Sequence, residues 1–317
     1  MTLIGVNAPY LRGAYGHDLA PSGRHPDWPV DFDPMVAYRP LIESKTLGFG
    51  AVRMWLCEAA EGIVFEDGQL TGVHPDLLES IRVIQEAARL HGQRIYWSLL
   101  DGNAVAREGD ALTRQILTDP DTRAKFAELV VAPIAQVIDP ELTFAFEIVN
   151  EPETATDDCM KDSDEVAEGV EPVSWADLGA TIRLAGDAAR AELDTLVTAG
   201  TMHVFLPALF GADPKLDAID VHVYHPRGGI PSRDDLVEYM KDESVRDMPL
   251  IGGEFGIPKD APEGEPFALT NYVFNADELG YAAAFVWQLE GDLVDAREKK
   301  RPFTELGYEM QRVLAAR

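Results

Sequence analysis

Residues 143–152 read TFAFEIVNEP, and the fold turns on this stretch. An almost unbroken apolar run stops at Asn150, Glu151 and Pro152. A strand with one wet face alternates polar with apolar residues, whereas a strand buried on both faces reads as a continuous apolar run. The second habit belongs to parallel sheets covered by helices, and the polar tip marks where the strand leaves the core. Working outward, similar runs occur at Leu3–Asn7, Ala51–Leu56, Arg94–Leu100, Thr195–Gly200, Ala218–Tyr224, Pro249–Phe255 and Ala282–Gln288.

Segments of helical period lie between them. Pro75–Leu90 places Leu77, Ile81, Ile84 and Ala88 on one stripe, with Gly92 as a stop signal. Asp121–Ile138 is a second helix, with a kink expected at Pro133. Ser174 with Asp177, and Ser232 with Asp235, are capping signals ahead of two more, and Leu306–Ala316 closes the chain. Alternating strands and helices allow a closed barrel or an open doubly wound sheet. No GxGxxG follows the first strand and no Walker A motif occurs, so the expected fold is α/β, a single-domain (β/α)8 TIM barrel over residues 1–317. Residues 152–173 read as a long solvated βα loop, with acids at 153, 157, 158, 162, 164, 165, 168 and 171.

The 317 residues carry 27 basic and 55 acidic side chains, a net charge of −28. Such a chain repels phosphate backbones and anionic lipid, so neither nucleic acid nor a membrane surface is an expected partner. There is no long apolar span and the N-terminus has no leader pattern, which gives a cytoplasmic expectation, or a secreted one if a signal was trimmed. Two cysteines, Cys57 and Cys159, rule out a disulfide framework and are expected as thiols. Oligomeric state is not readable.

In a barrel, chemistry gathers at the C-terminal ends of the strands. Those ends here hold Asn7, Arg53 with Trp55, Asp101 with Asn103, Asn150 with Glu151, His222 with Tyr224, Glu254, and Trp287. Side-chain alternation puts Leu250, Gly252 and Glu254 on one face. Singly, Glu151 or Glu254 could be an ion-pair member or an exposed acid. Together, on the fourth and seventh barrel strands, they face each other across the mouth and suit a two-carboxylate glycosidase. Arg53 could orient one carboxylate or could pair with Glu147. Tyr224 could donate to the same carboxylate, Asn150 could bind a sugar hydroxyl, and Trp287 offers a flat face to a pyranose. Trp28, Trp55, Tyr10, Tyr15 and Trp175 could extend that platform.

The motifs IVNEP (148–152), HVY (222–224), GGEFG (252–256) and VWQ (286–288) resemble the signature of clan A retaining glycoside hydrolases, most closely the cellulase-like family 5. The resemblance runs from Ile4 to Gln288 in the expected strand order. It implies Glu151 as acid/base, Glu254 as nucleophile, Arg53 and Tyr224 as supports, and Asn150 as the 2-hydroxyl contact. His222 and Trp287 would line the subsite before the cleaved bond. The implied substrate is a β-linked glucan, mannan or related oligosaccharide, hydrolysed through a covalent glycosyl-enzyme. The sequence departs from the family at the third strand, where SLLDGN carries Asp101 and Asn103 in place of a frequent histidine; His17 and Asp18 could supply that contact instead.

No cofactor and no metal are expected. His222, His225 and His203 offer no third ligand nearby in sequence, the acidic loop lacks a calcium-loop pattern, and no GxSxG occurs. A catalytically inactive carbohydrate-binding or interaction barrel is the alternative. If the pair is retaining, its carboxyl groups lie roughly 5 to 5.5 Å apart. Arg53 and Tyr224 are then expected to depress Glu254, and burial beside a second carboxylate to raise Glu151.

Overall fold

The strands form, in chain order, as β1 (Leu3–Asn7), β2 (Ala51–Trp55), β3 (Ile63–Glu66), β4 (Gln69–Val73), β5 (Arg94–Asp101), β6 (Thr143–Asn150), β7 (Leu196–Thr198), β8 (Thr201–Met202), β9 (Ile219–Tyr224), β10 (Leu250–Gly256) and β11 (Ala283–Val286). The computed structural model describes residues 1–317 except Tyr10, residues 12–16, Asp31, Asp162, residues 259–267, Ala296 and residues 298–299. Nine strands make one parallel sheet in the order β7-β6-β5-β2-β1-β11-β10-β9-β8. β7 and β8 are halves of one run, broken at Ala199–Gly200; β7 pairs with β6 and β8 with β9. The two ends of the order are therefore one stave, and the sheet closes as a (β/α)8 barrel. The fifth barrel strand, expected unbroken, is split.

Local chemistry explains the helices. Pro75 opens Pro75–His91 without losing a hydrogen bond, and Gly92 ends it at φ 62°. Ser232 and Asp235 cap each other's backbone to start Arg233–Met240. The helix expected over 121–138 begins at Pro120 and widens into a π turn at Ala127–Val131 before Ala132–Val137. Pro133 has no N–H for the turn before it, so the irregularity falls there rather than at the proline. The β3–β4 hairpin has no counterpart in the sequence expectation, although Asp67 (φ 48°) and Gly68 (φ 75°) form a two-residue turn of the Asp-Gly type.

The 152–173 loop is less solvated than its acids suggest. Met160 and Val173 are buried, and the Ala167 N–H donates to the Ala106 carbonyl. Glu153, counted among the loop acids, is fully buried. Among the described residues no helix is long and apolar enough to cross a membrane.

Two apolar layers frame the barrel. One lies between staves and helices; the other fills the interior with Ala51, Tyr96, Ala145, Ala218, Ile251, Ala283 and Phe285. Above that plug sits a polar layer of Arg53, Glu147, Asp220 and His222, none more than 1% exposed. The register of β10 corrects the alternation argument. Gly252 pairs with Val221 and Glu254 with His222, leaving Gly253 as an extra residue. Leu250 and Phe255 belong to the outer layer, Phe255 stacking on Tyr272 with ring centroids 4.9 Å apart, while Ile251 belongs to the interior. Glu254 is inside because the bulge turns it, and it does not share a face with Leu250.

Candidate active site

Arg53 is the hub. Its Nη1 donates to Asn7 Oδ1 (2.9 Å) and Glu254 Oε1 (2.8 Å), and its Nη2 to Glu147 Oε2 (2.5 Å) and Asn150 Oδ1 (2.6 Å). Both readings of Arg53 therefore hold, since one planar guanidinium serves two carboxylates. It lies 4.2 Å from the Trp55 ring centroid and 5.2 Å from that of Tyr96. Tyr224 donates to Glu254 Oε2 at 2.7 Å, so each oxygen of Glu254 has a donor.

Glu151 sits on the turn just past β6, in the left-handed region at φ 44° and ψ 55°. Such a conformation costs a non-glycine residue about 1–3 kcal/mol and persists only where its surroundings fix it. Here the Glu151 N–H donates to Gly200 O (2.8 Å), and its carbonyl accepts from Thr154 N (3.1 Å) and Oγ1 (2.8 Å). Two residues on, Glu153 ties the same turn to β8 by accepting from Thr201 Oγ1 (2.6 Å) and Met202 N (2.8 Å). The Glu151 carboxylate accepts from Asn103 Nδ2 at 2.9 Å.

His222 stands between the acids, its Nδ1 3.1 Å from Glu151 Oε1 and 3.7 Å from Glu254 Oε2. A Cβ on Gly200 would lie 2.2 Å from His222 Nε2 and 2.7 Å from Glu147 Oε1, so only glycine lets the broken strand approach this closely. One ligand atom from each of Glu151, His222 and Glu254 falls within 4.8 Å of the other two. These residues could face a cation, but Arg53, Tyr224 and Asn103 already donate to the carboxylates.

The electrostatics reverse the expected order of the two acids. Burial pushes Glu151 up, but the hydrogen bond and charge of His222, the Asn103 amide and Arg53 outweigh it and hold Glu151 at about 2. Burial also raises Glu254; the His222 charge opposes this, Glu151 adds to it, and Arg53 and Tyr224 do not bring it back. His222 is opposed by burial yet lifted to about 10 by Glu254 and Glu151. Sequence could place Arg53 and Tyr224 beside Glu254, but not a buried imidazole beside Glu151. Glu151 is thus the stronger acid of the two glutamates, and His222 holds its proton against it.

The other expected residues fall into place around this centre. Asn150 donates to Asp101 Oδ1 (3.1 Å), and Asp101 also accepts from Asn103 N (2.9 Å) and Nδ2 (3.0 Å). Asp101 therefore orients two amides. Asn7 donates to Gly253 O (3.1 Å). Trp287 lies just beyond β11 and meets Trp55 edge to face, with centroids 5.9 Å apart. Asn103, Glu153 and Asp220 are the contributors without an expected role; the position of Asn103 just past a strand tip was the available signal.

Among the described residues, the more distant candidates make contacts of their own. Trp28 stacks on His25 (4.1 Å) and lies 4.5 Å from buried His17. Asp18 accepts from Leu11 N, and Trp175 donates to Asp158. Tyr10 and Tyr15 lie outside the described residues.

No family model and no curated protein matches the chain. Solved structures do. β-1,4-Mannanase from the common sea hare Aplysia kurodai aligns with a TM-score of 0.71 at 18% identity, over 100% of this chain and 92% of that one. Endo-1,4-β-mannanase from Eisenia fetida aligns with a TM-score of 0.71 at 16% identity, over 100% and 91%. β-Mannanase from the blue mussel Mytilus edulis gives 0.70 at 18% identity, over 100% and 92%. At these identities the likeness establishes the barrel.

Proposed function

We propose that this chain is a retaining β-glycosidase that hydrolyses β-1,4-linked mannan or manno-oligosaccharides, with Glu254 as nucleophile and Glu151 as acid/base. The observation that carries this is the close pair of glutamates at the barrel mouth, with carboxylate oxygens within 4.8 Å. Inverting enzymes hold their acids about 6.5–9.5 Å apart to admit a water between acid and sugar, and retaining ones about 5–5.5 Å apart. The mannan preference rests on the mannanases that share the barrel over the whole chain.

Glu254 suits the nucleophile. Arg53 and Tyr224 fix both of its oxygens, so it is aimed before substrate arrives. In the first step a Glu254 oxygen bonds to the anomeric carbon as the glycosidic bond breaks, and the leaving oxygen takes a proton from Glu151. That proton comes from His222 Nδ1, 3.1 Å from Glu151 Oε1, which leaves His222 neutral. In the second step Glu151 takes a proton from water, whose oxygen attacks the anomeric carbon and releases Glu254. The proton then returns to His222. Trp287, half-buried against Trp55, offers the centre a face on which a sugar ring can stack.

Proton NMR of manno- and cello-pentaose digests tests the reading. The first-formed reducing end should be the β-anomer, with faster turnover of the manno series. The α-anomer appearing first would overturn the mechanism, and preference for the gluco series would overturn the substrate.

A further inference from the structure

We infer that Asp220 and Asn7 are positioning residues that aim the nucleophile by clamping the backbone of the Gly253 bulge, an inference that rests on the proposed role of Glu254. The bulge is marked on both sides of β10. Toward β9 the register steps from Gly252–Val221 to Glu254–His222, and toward β11 from Gly252–Ala284 to Phe255–Val286. Regular alternation from Ile251 would send residues 253 and 255 inward and residue 254 out among the helices. The one extra residue reverses this and puts a carboxylate where a phenylalanine ring would stand.

A bulge breaks the ladder, so its peptide groups need other partners in a buried strand. Here side chains supply them from opposite sides. The Gly253 N–H donates to Asp220 Oδ1 at 2.8 Å, and the Gly253 carbonyl accepts from Asn7 Nδ2 at 3.1 Å. Asp220 is 1% exposed and Asn7 wholly buried. Both are anchored in turn. Tyr96 donates to Asp220 Oδ2 and lies 2.6 Å from Thr198 Oγ1. Asn7 Oδ1 accepts from the same Arg53 Nη1 that holds Glu254. Backbone and carboxylate of the nucleophile are thus fixed by one connected network. A Cβ at residue 253 would lie 2.5 Å from Asp220 Oδ1 and 2.9 Å from His222 Nε2, so the clamp closes only on glycine.

The test compares Asp220→Ala, Asp220→Asn, Gly253→Ala and Glu254→Ala on a dinitrophenyl β-mannoside. That leaving group departs without an acid, so the glycosylation rate reads the nucleophile alone. Displacing a reacting group by about 1 Å can cost on the order of a hundredfold in rate. Asp220→Ala and Gly253→Ala should therefore lose about that factor in the single-turnover glycosylation rate, with the substrate Kd within about threefold. Asp220→Asn keeps an acceptor oxygen for the Gly253 N–H and should recover at least tenfold of the loss. If Asp220→Ala does not fold, Asp220→Asn decides: a rate within about tenfold of wild type supports the clamp, and a larger loss overturns it. The clamp is also overturned if folded Asp220→Ala keeps the wild-type glycosylation rate, or if the loss lies in the substrate Kd. Glu254→Ala separates this from the parent reading. If Glu254→Ala turns over like wild type, the nucleophile assignment fails; if it is inactive while Asp220→Ala is normal, the clamp alone fails.

Discussion

Replacing Arg53 by methionine probes the polar layer most severely. The guanidinium is fully buried and serves four acceptors, two of them the carboxylates of Glu147 and Glu254 at 2.5 and 2.8 Å. Methionine is long and adaptable enough to fill much of the space, so lost charge dominates over lost packing. Removing one partner of a buried ion pair costs about 3–5 kcal/mol, because the other charge stays buried and uncompensated. Two carboxylates share this one cation, so their contributions do not simply add, and about 3–5 kcal/mol is a floor at neutral pH. Against a typical total of about 5–15 kcal/mol, that is a large fraction. The deficit should depend on pH. Without Arg53, Glu254, already raised by burial, binds its proton more tightly still. A raised carboxyl contributes stability below its unfolded value and loses it as pH rises through the folded one. Variant and wild type should therefore converge toward pH 5 and diverge toward pH 8. Urea unfolding of both proteins at the two pH values measures this. A loss under about 1 kcal/mol at pH 8, or an equal loss at both values, would refute the reasoning.

Four further outcomes are expected. Activity should follow a bell in pH, its acidic limb set by Glu254 above the ordinary carboxylate range and its basic limb by loss of the proton His222 holds up to about 10. His222→Asn leaves Glu151 alone to hold that proton, so kcat/KM profiles should show the basic limb moving to lower pH; an unmoved limb would remove His222 from the proton path. Glu153 is raised from 4.5 to about 8, first by burial and then by Glu151, so the stability it confers is complete below 4.5 and lost as pH climbs to about 8. Glu153→Gln mimics the protonated acid, and scanning calorimetry should find it matching wild type at acid pH and more stable at pH 9. With azide on a dinitrophenyl β-mannoside, Glu151→Ala should yield the β-azide and Glu254→Ala the α-azide, read by NMR; swapped anomers would reverse the roles.

The barrel was legible because its staves are apolar on both faces, a pattern composition alone carries. Arg53, Asn150, Glu151, His222, Tyr224 and Glu254 were legible because polar residues ending apolar runs have few other reasons to be there. The face that alternation gives Glu254 does not hold: it points inward through an extra residue that sequence periodicity does not register. Gly253 is the one visible trace of that bulge. The break at Ala199–Gly200 was hidden for a similar reason, since the contacts that require glycine there come from His222 and Glu147 on other strands. Glu153 looked like one more acid in an acidic loop, and only the fold brings it against Thr201 and Met202. The order of the two glutamates in proton affinity turned on His222, whose distance from each was set by tertiary packing. The β3–β4 hairpin is different, because its Asp67-Gly68 turn could have been read from the chain.

In the proposed reaction Glu254 forms a covalent bond to the sugar. A dinitrophenyl 2-deoxy-2-fluoro-β-mannoside carries a good leaving group and a substituent that slows release, so it should trap the intermediate. Intact-mass spectrometry should detect one added fluorosugar, and peptide mapping should place it on Glu254. An adduct on any other residue, or none on protein that turns over the unfluorinated substrate, would contradict the account.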